Sequence, residues 1–150
     1  MKKLLVLIIT LPLSIGVYAQ IEKPIKWAYA AKHTGTNEAV VFLKANIQPG
    51  WHIYSLNVKK GGPTKTSFNF APAKNYTLVG KTVEPSPKIK FEKSFKMNVG
   101  YFENEVVFQQ KIKLKSTAPA DIKGSLEYAV CNNMKCLPPE ELNFTVALNK

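Results

Sequence analysis

From Ile25 to Leu148 apolar and polar residues alternate with a period near two, and no apolar stripe of helical spacing runs for three turns. That alternation constrains the chain more than any other feature, because a period of two puts every apolar side chain of a strand on one face. The pattern predicts strands over 26–32, 38–47, 51–56, 66–70, 75–82, 104–114, 123–131 and 140–148. The last is the clearest: Leu142, Phe144, Val146 and Leu148 share one face, and Glu141, Asn143 and Thr145 take the other. In 104–114, Val106, Phe108, Ile112 and Leu114 share a face, with Gln110 as the polar exception. Gly- and Pro-rich separators at 48–50, 59–64, 71–75, 84–87 and 116–121 supply the turns. Half-buried strands at this spacing predict an all-β, immunoglobulin-like sandwich or a related barrel, as a single domain over 20–150. Segment 84–103 is the least regular. It places Phe91, Phe95, Tyr101 and Phe102 in a stretch too basic and broken for a core strand, and is expected to be a loop whose aromatics cover something.

The first 19 residues read as an export leader. Lys2 and Lys3 precede an apolar run from Leu4 to Val17, and Val-Tyr-Ala predicts cleavage after Ala19. The run is too short for a span of about 20 apolar residues and is broken by Pro12 and Ser14. The expectation is a periplasmic protein whose mature chain does not insert into a membrane. Losing Lys2 and Lys3 takes the formal net charge from +11 to +9. All 21 basic residues are lysine, scattered along strand-like segments. Lysine lacks the planar fork with which arginine clamps phosphates and bases, so no nucleic-acid partner is expected.

Both cysteines, Cys131 and Cys136, lie in "YAVCNNMKCLPPEE". Asn132 and Asn133 favour a tight reversal there. A four-residue loop would bring the flanking Cα atoms to roughly 4.5–5.5 Å, within bridging range. Pro138 and Pro139 then interrupt pairing, since neither can donate to a ladder. A structural staple and a redox pair both fit this placement. The staple reading is weakened by length: closing about six residues removes about 2 kcal/mol of unfolded-state entropy, against about 4.7 for a 100-residue loop. Cys131, Met134 and Cys136 also form a soft set suited to Cu(I), whereas zinc lacks its four ligands. No nucleophilic-hydrolase motif is present. His33, in a "KHTGTNE" turn, is expected at the surface, and His52 is expected to line a site, not to act as a base.

Three stretches together resemble the N-terminal periplasmic domain of the transmembrane reductase DsbD: "GWHIYS" (50–55), "FEKSFKMNVGYFENEVVF" (91–108) and "YAVCNNMKCLPPEELNF" (128–144). The resemblance implies an immunoglobulin-like domain that passes electrons between thiol proteins, a thiol–disulfide oxidoreductase needing no cofactor or metal. Under it, Cys131 and Cys136 are the redox pair, with Cys136 exchanging and Cys131 resolving. Phe95, with Phe91 beside it, falls on the cap-loop aromatic, His52 and Tyr54 on the aromatic pair lining the site, and Glu92 on the acidic residue near the cap. The loop from Phe91 to Phe102 would be a lid, and Lys135 foremost among the lysines would favour a thiolate. The cysteine spacing is one residue shorter than in the best-known members. With no membrane or thioredoxin-like domain before Lys150, the chain is expected to be a free-standing, monomeric relative. It would meet thioredoxin-fold or membrane reductase partners through transient mixed disulfides.

Overall fold

The computed structural model describes residues 22–116 and 120–148, so the leader and its cleavage site lie outside the described residues. All regular structure among those residues is β. Strands β1 (Ile25–Gly35), β2 (Glu38–Ile47), β8 (Glu105–Leu114) and β5 (Tyr76–Val83) form one antiparallel sheet in the order β1-β2-β8-β5. A second sheet, β11-β9-β4, contains β11 (Glu140–Leu148), β9 (Ala120–Tyr128) and β4 (Ser67–Phe70). A third, β10-β3-β7-β6, joins β10 (Val130–Cys131), β3 (His52–Tyr54), β7 (Met97–Phe102) and β6 (Lys88–Glu92). The result is an immunoglobulin-like sandwich.

The alternation puts the apolar faces where the sandwich needs them. Val41, Leu43 and Ala45 of β2, Phe108 and Ile112 of β8, Ile122 and Leu126 of β9, and Phe144 and Val146 of β11 are buried in one cluster. Aromatic rings key the layers together: Phe108 meets Phe68 at 5.1 Å, Phe102 at 5.8 Å and Trp27 at 6.1 Å between centroids. Gly124 is required by close approach, since a Cβ there would lie 2.4 Å from the Asn69 carbonyl oxygen and 2.6 Å from the Phe144 ring. Gln110, the polar exception of β8, is buried in the same inward row as Phe108 and Ile112, beside a bulge of β5 between Val79 and Val83 where Gly80 has φ 67°. Its side-chain nitrogen donates to the Val79 and Lys111 carbonyls at 3.3 and 2.8 Å, and its oxygen accepts from the Thr82 hydroxyl at 2.8 Å.

Two expectations are corrected. The segment 84–103 is no irregular loop: it holds β6 and β7, a hairpin with Lys90 opposite Val99 and Glu92 opposite Met97. Its pattern reads as broken because β6 is an edge strand with Ile89 and Phe91 exposed, while lysines occupy its other face. The predicted strand 123–131 is in fact two. The chain leaves β9 after Tyr128, passes Ala129 and joins β3 as β10, changing sheets two residues before the first cysteine.

Truncating Phe108 to Ala should cost about 3–5 kcal/mol, as deletion of a buried aromatic does. Phe91→Ser, on an exposed edge, should stay within about 0.5 kcal/mol of wild type. Denaturant midpoints check both.

Candidate active site

Cys131 ends β10, which is held to β3 by the pairs Val130–Ile53 and Cys131–His52. Beyond it, Asn132 builds the reversal. Its amide donates to the Lys135 carbonyl at 2.8 Å, and its side-chain oxygen accepts from the Met134 and Lys135 amides, each at 2.8 Å. This Asx turn is what asparagine at that position favours. Leu137 closes the hairpin by donating to the Val130 carbonyl at 3.0 Å. Cys131 and Cys136 face each other as an antiparallel bridge with Cα atoms 4.0 Å apart and are joined by a disulfide. The two halves of the bond differ in access. Cys131 is 2% exposed, packed with Tyr54, Val99 and Ala129, whereas Cys136 is exposed. After Cys136 no strand begins until β11 at Glu140, beyond the two prolines.

Successive pairs across the sheet put one row of side chains on the cysteine side. His52 and Tyr54 alternate on β3, Tyr54 opposes Tyr101 of β7, and Val99 opposes Lys90 of β6. The His52 ring stands edge-on to Tyr54 at 5.4 Å and to Tyr101 at 5.5 Å. Lys90 Nζ approaches His52 Nε2 at 2.8 Å, pairs with the Glu92 carboxylate at 3.0 Å and lies 5.1 Å from the Tyr101 ring centroid. The Tyr54 hydroxyl donates to the same Glu92 carboxylate at 3.3 Å. Burial, then the Lys90 ammonium, pushes the His52 imidazole down to about 4. Burial, then the Glu92 carboxylate, raises the Tyr54 phenol above its ordinary range.

Of the residues singled out in the sequence, Cys131, Cys136, His52, Tyr54 and Glu92 therefore lie on or beside one face. Phe91 points from the opposite side of β6 and is 60% exposed. Phe95 sits half-buried in the turn of the β6–β7 hairpin, its amide donating to the Glu92 carbonyl at 3.1 Å. Lys135, expected to act on the thiolate, is ion-paired with Glu22, which spends much of its field locally. Lys90 was missed, and Tyr101 was expected only as one of the covering aromatics of a loop. Both sit in the segment read as a loop, and assigning β6 and β7 would have put them in line with His52. A cleft of ~700 Å³ opens between Glu22–Pro24 and the residues flanking Cys136, Lys135 and Leu137 to Glu140.

The chain matches the family model described as thiol:disulfide interchange protein DsbD, N-terminal, over residues 22–148. It is similar to the reduced DsbD N-terminal domain of Neisseria meningitidis, at TM-score 0.53 and 17% identity, over 83% of this chain and 86% of that one. A complex between the DsbD N-terminal and PilB N-terminal domains of the same organism gives 0.56 and 16%, over 85% of this chain and 88% of that one. The N-terminal periplasmic domain of ScsB from Proteus mirabilis gives 0.53 and 20%, over 83% of this chain and 44% of that one. No curated protein matches. At these identities the structural likeness is one of fold.

The His52 ring should remain neutral through the ordinary imidazole range and take up a proton only near pH 4. An unfolded chain binds that proton at about 6.5, so between the two values the unfolded state holds more protons. The stability at stake is intact above about pH 6.5 and declines as the pH falls towards 4. Lys90→Met should move the titration upward, still short of the ordinary value because burial persists. NMR titration of the His52 ring reads this directly; an ordinary midpoint in the wild type would contradict it.

Proposed function

The chain belongs to the family of DsbD N-terminal domains, and from that premise we propose that it relays electrons through Cys131 and Cys136. The donor is a thioredoxin-fold or membrane reductase protein, and the recipients are client disulfide proteins. One observation carries this reading: the disulfide joins an exposed cysteine to a buried one at a hairpin end. Exchange needs an in-line approach to one sulfur and a leaving sulfur on the far side. Cys136 offers the approach, and Cys131, held against β3, is the sulfur left behind. As a staple the bridge is poorly sited, since so short a loop stabilises by only about 2 kcal/mol.

In the reducing half-reaction a partner thiolate attacks Cys136, forming a mixed disulfide and releasing Cys131. A second partner thiol, or Cys131 itself in the reverse sense, resolves it. The dithiol then reduces a client, with Cys136 attacking first. The partner seats beside Cys136 on Met134, 89% exposed, and on Leu137 and the two prolines that line the neighbouring cleft. The β6–β7 turn with Phe95 serves as a lid over the site, without Phe91, which faces away from it. The protein works in the periplasm as a monomer, after cleavage of its leader at Ala19.

Two single-cysteine variants test the assignment. With glutathione disulfide as probe, Cys131→Ser should form a stable adduct at Cys136 at least about tenfold faster than Cys136→Ser forms one at Cys131, because access limits the buried thiol. Mass spectrometry reads both adducts; equal rates, or the reverse order, would contradict the proposed roles. Phe95→Ala should speed adduct formation at Cys136 while changing stability by no more than about 0.5 kcal/mol.

A further inference from the structure

Opening the bridge at Cys136 leaves an electron pair on the Sγ of Cys131, a residue only 2% exposed. A thiolate in apolar surroundings is disfavoured. Bond cleavage is therefore helped if a proton reaches that sulfur as it departs, and bulk water has little access to it. His52 is the directly opposed partner of Cys131. Opposed residues in an antiparallel pair set their Cβ atoms about 4.5–5.5 Å apart on one face, which puts the imidazole beside the leaving sulfur. Lys90 Nζ lies 2.8 Å from Nε2 of that ring. An ammonium has no lone pair, so it donates, Nε2 accepts, and the neutral ring carries its own proton on Nδ1. The Lys90 side chain is 28% exposed, so its nitrogen end can exchange protons with solvent.

Resting on the exchange chemistry proposed above, we infer that Lys90 and His52 form a proton relay to the sulfur of Cys131. The partner's thiolate forms a bond to Cys136 Sγ as the Cys131–Cys136 bond breaks. The partner's sulfur is oxidised to the mixed disulfide, and the electron pair of the broken bond remains on Cys131 Sγ. His52 passes its Nδ1 proton to that sulfur while Nε2 takes one from Lys90, and the lysine amine recovers a proton from water. Closing the bridge runs the same path backwards. Burial keeps the imidazole from resting as a cation, so His52 transmits the proton and does not store it. The other groups facing the ring are Tyr54 on β3, Tyr101 on β7, Glu103 just beyond the end of β7, and Glu92 on β6. Glu92 holds the Lys90 ammonium in place and engages the Tyr54 hydroxyl, whose raised pKa makes it a poor competing acid.

The decisive variant is Lys90→Arg, which keeps the cation but cannot release a proton. With dithiothreitol as the opening thiol, Lys90→Arg and His52→Phe should each slow opening by about a hundredfold, the usual reach of acid–base assistance. Both should slow reclosure by the same factor, leaving the redox equilibrium against glutathione unchanged. Lys90→Arg sits on a partly exposed edge strand, so it remains informative even if the buried His52→Phe fails to fold. Opening of Lys90→Arg at the wild-type rate would overturn the relay. So would slowing in one direction with a matching shift in equilibrium, which marks a purely electrostatic effect. If dithiothreitol cannot open the wild-type bridge at all, it is the exchange reading that fails, and the relay falls with it.

Discussion

The site depends on the chain changing sheets at Ala129. Up to Tyr128 the chain is an inner strand of β11-β9-β4, and from Glu140 it returns to the same sheet, with Tyr128 and Glu140 directly paired. The Tyr128 hydroxyl donates to the Glu140 carboxylate at 2.6 Å, and its ring packs on Trp27 at 5.5 Å. Residues 129–139 are thus an arm with a fixed base, leaning on β3 through two residue pairs. Without that transfer Cys131 would have no strand neighbour on the His52 side, and the disulfide would sit on a free loop.

The arm also explains why two sulfurs so close in sequence have such different surroundings. The pairing with β3 buries the first cysteine among Tyr54, Val99 and Ala129, while Pro138 and Pro139 keep the second out of any ladder. In the proposed exchange, exposure of one sulfur and burial of the other would set the direction: attack from outside, departure toward the sheet. The lysine-rich surface contributes little to this. The cation beside the site is Lys90, held by Glu92 on one side and His52 on the other, whereas Lys135, nearest in sequence, is engaged with Glu22.

Much of this was legible in the residues. The bounds of β2 and β11 and the inner faces of β8 and β11 follow from period-two alternation, and the turn at Asn132 follows from asparagine chemistry. The hairpin β6–β7 did not, because an edge strand with Phe91 outward and Lys90 inward inverts the polarity that marks a half-buried strand. Its inward lysine is accounted for by Glu92, the Tyr101 ring and the His52 imidazole, the last a contact between residues 38 positions apart. The break at Ala129 was equally hidden. "SLEYAVC" reads as one continuous strand, and only the competition between β11 and β3 for partners divides it. His52 could be placed near the cysteines by resemblance, but its direct opposition to Cys131 is a matter of register that no local pattern encodes.

Electron relay requires the Cys131–Cys136 bond to be one that visiting thiols can make and break, a property read from its reduction potential. Equilibration of the purified protein with defined glutathione or dithiothreitol couples should give a potential above about −300 mV, in the range shared by exchanging dithiols. A value well below that would mark an inert structural bond and rule out electron relay through this pair.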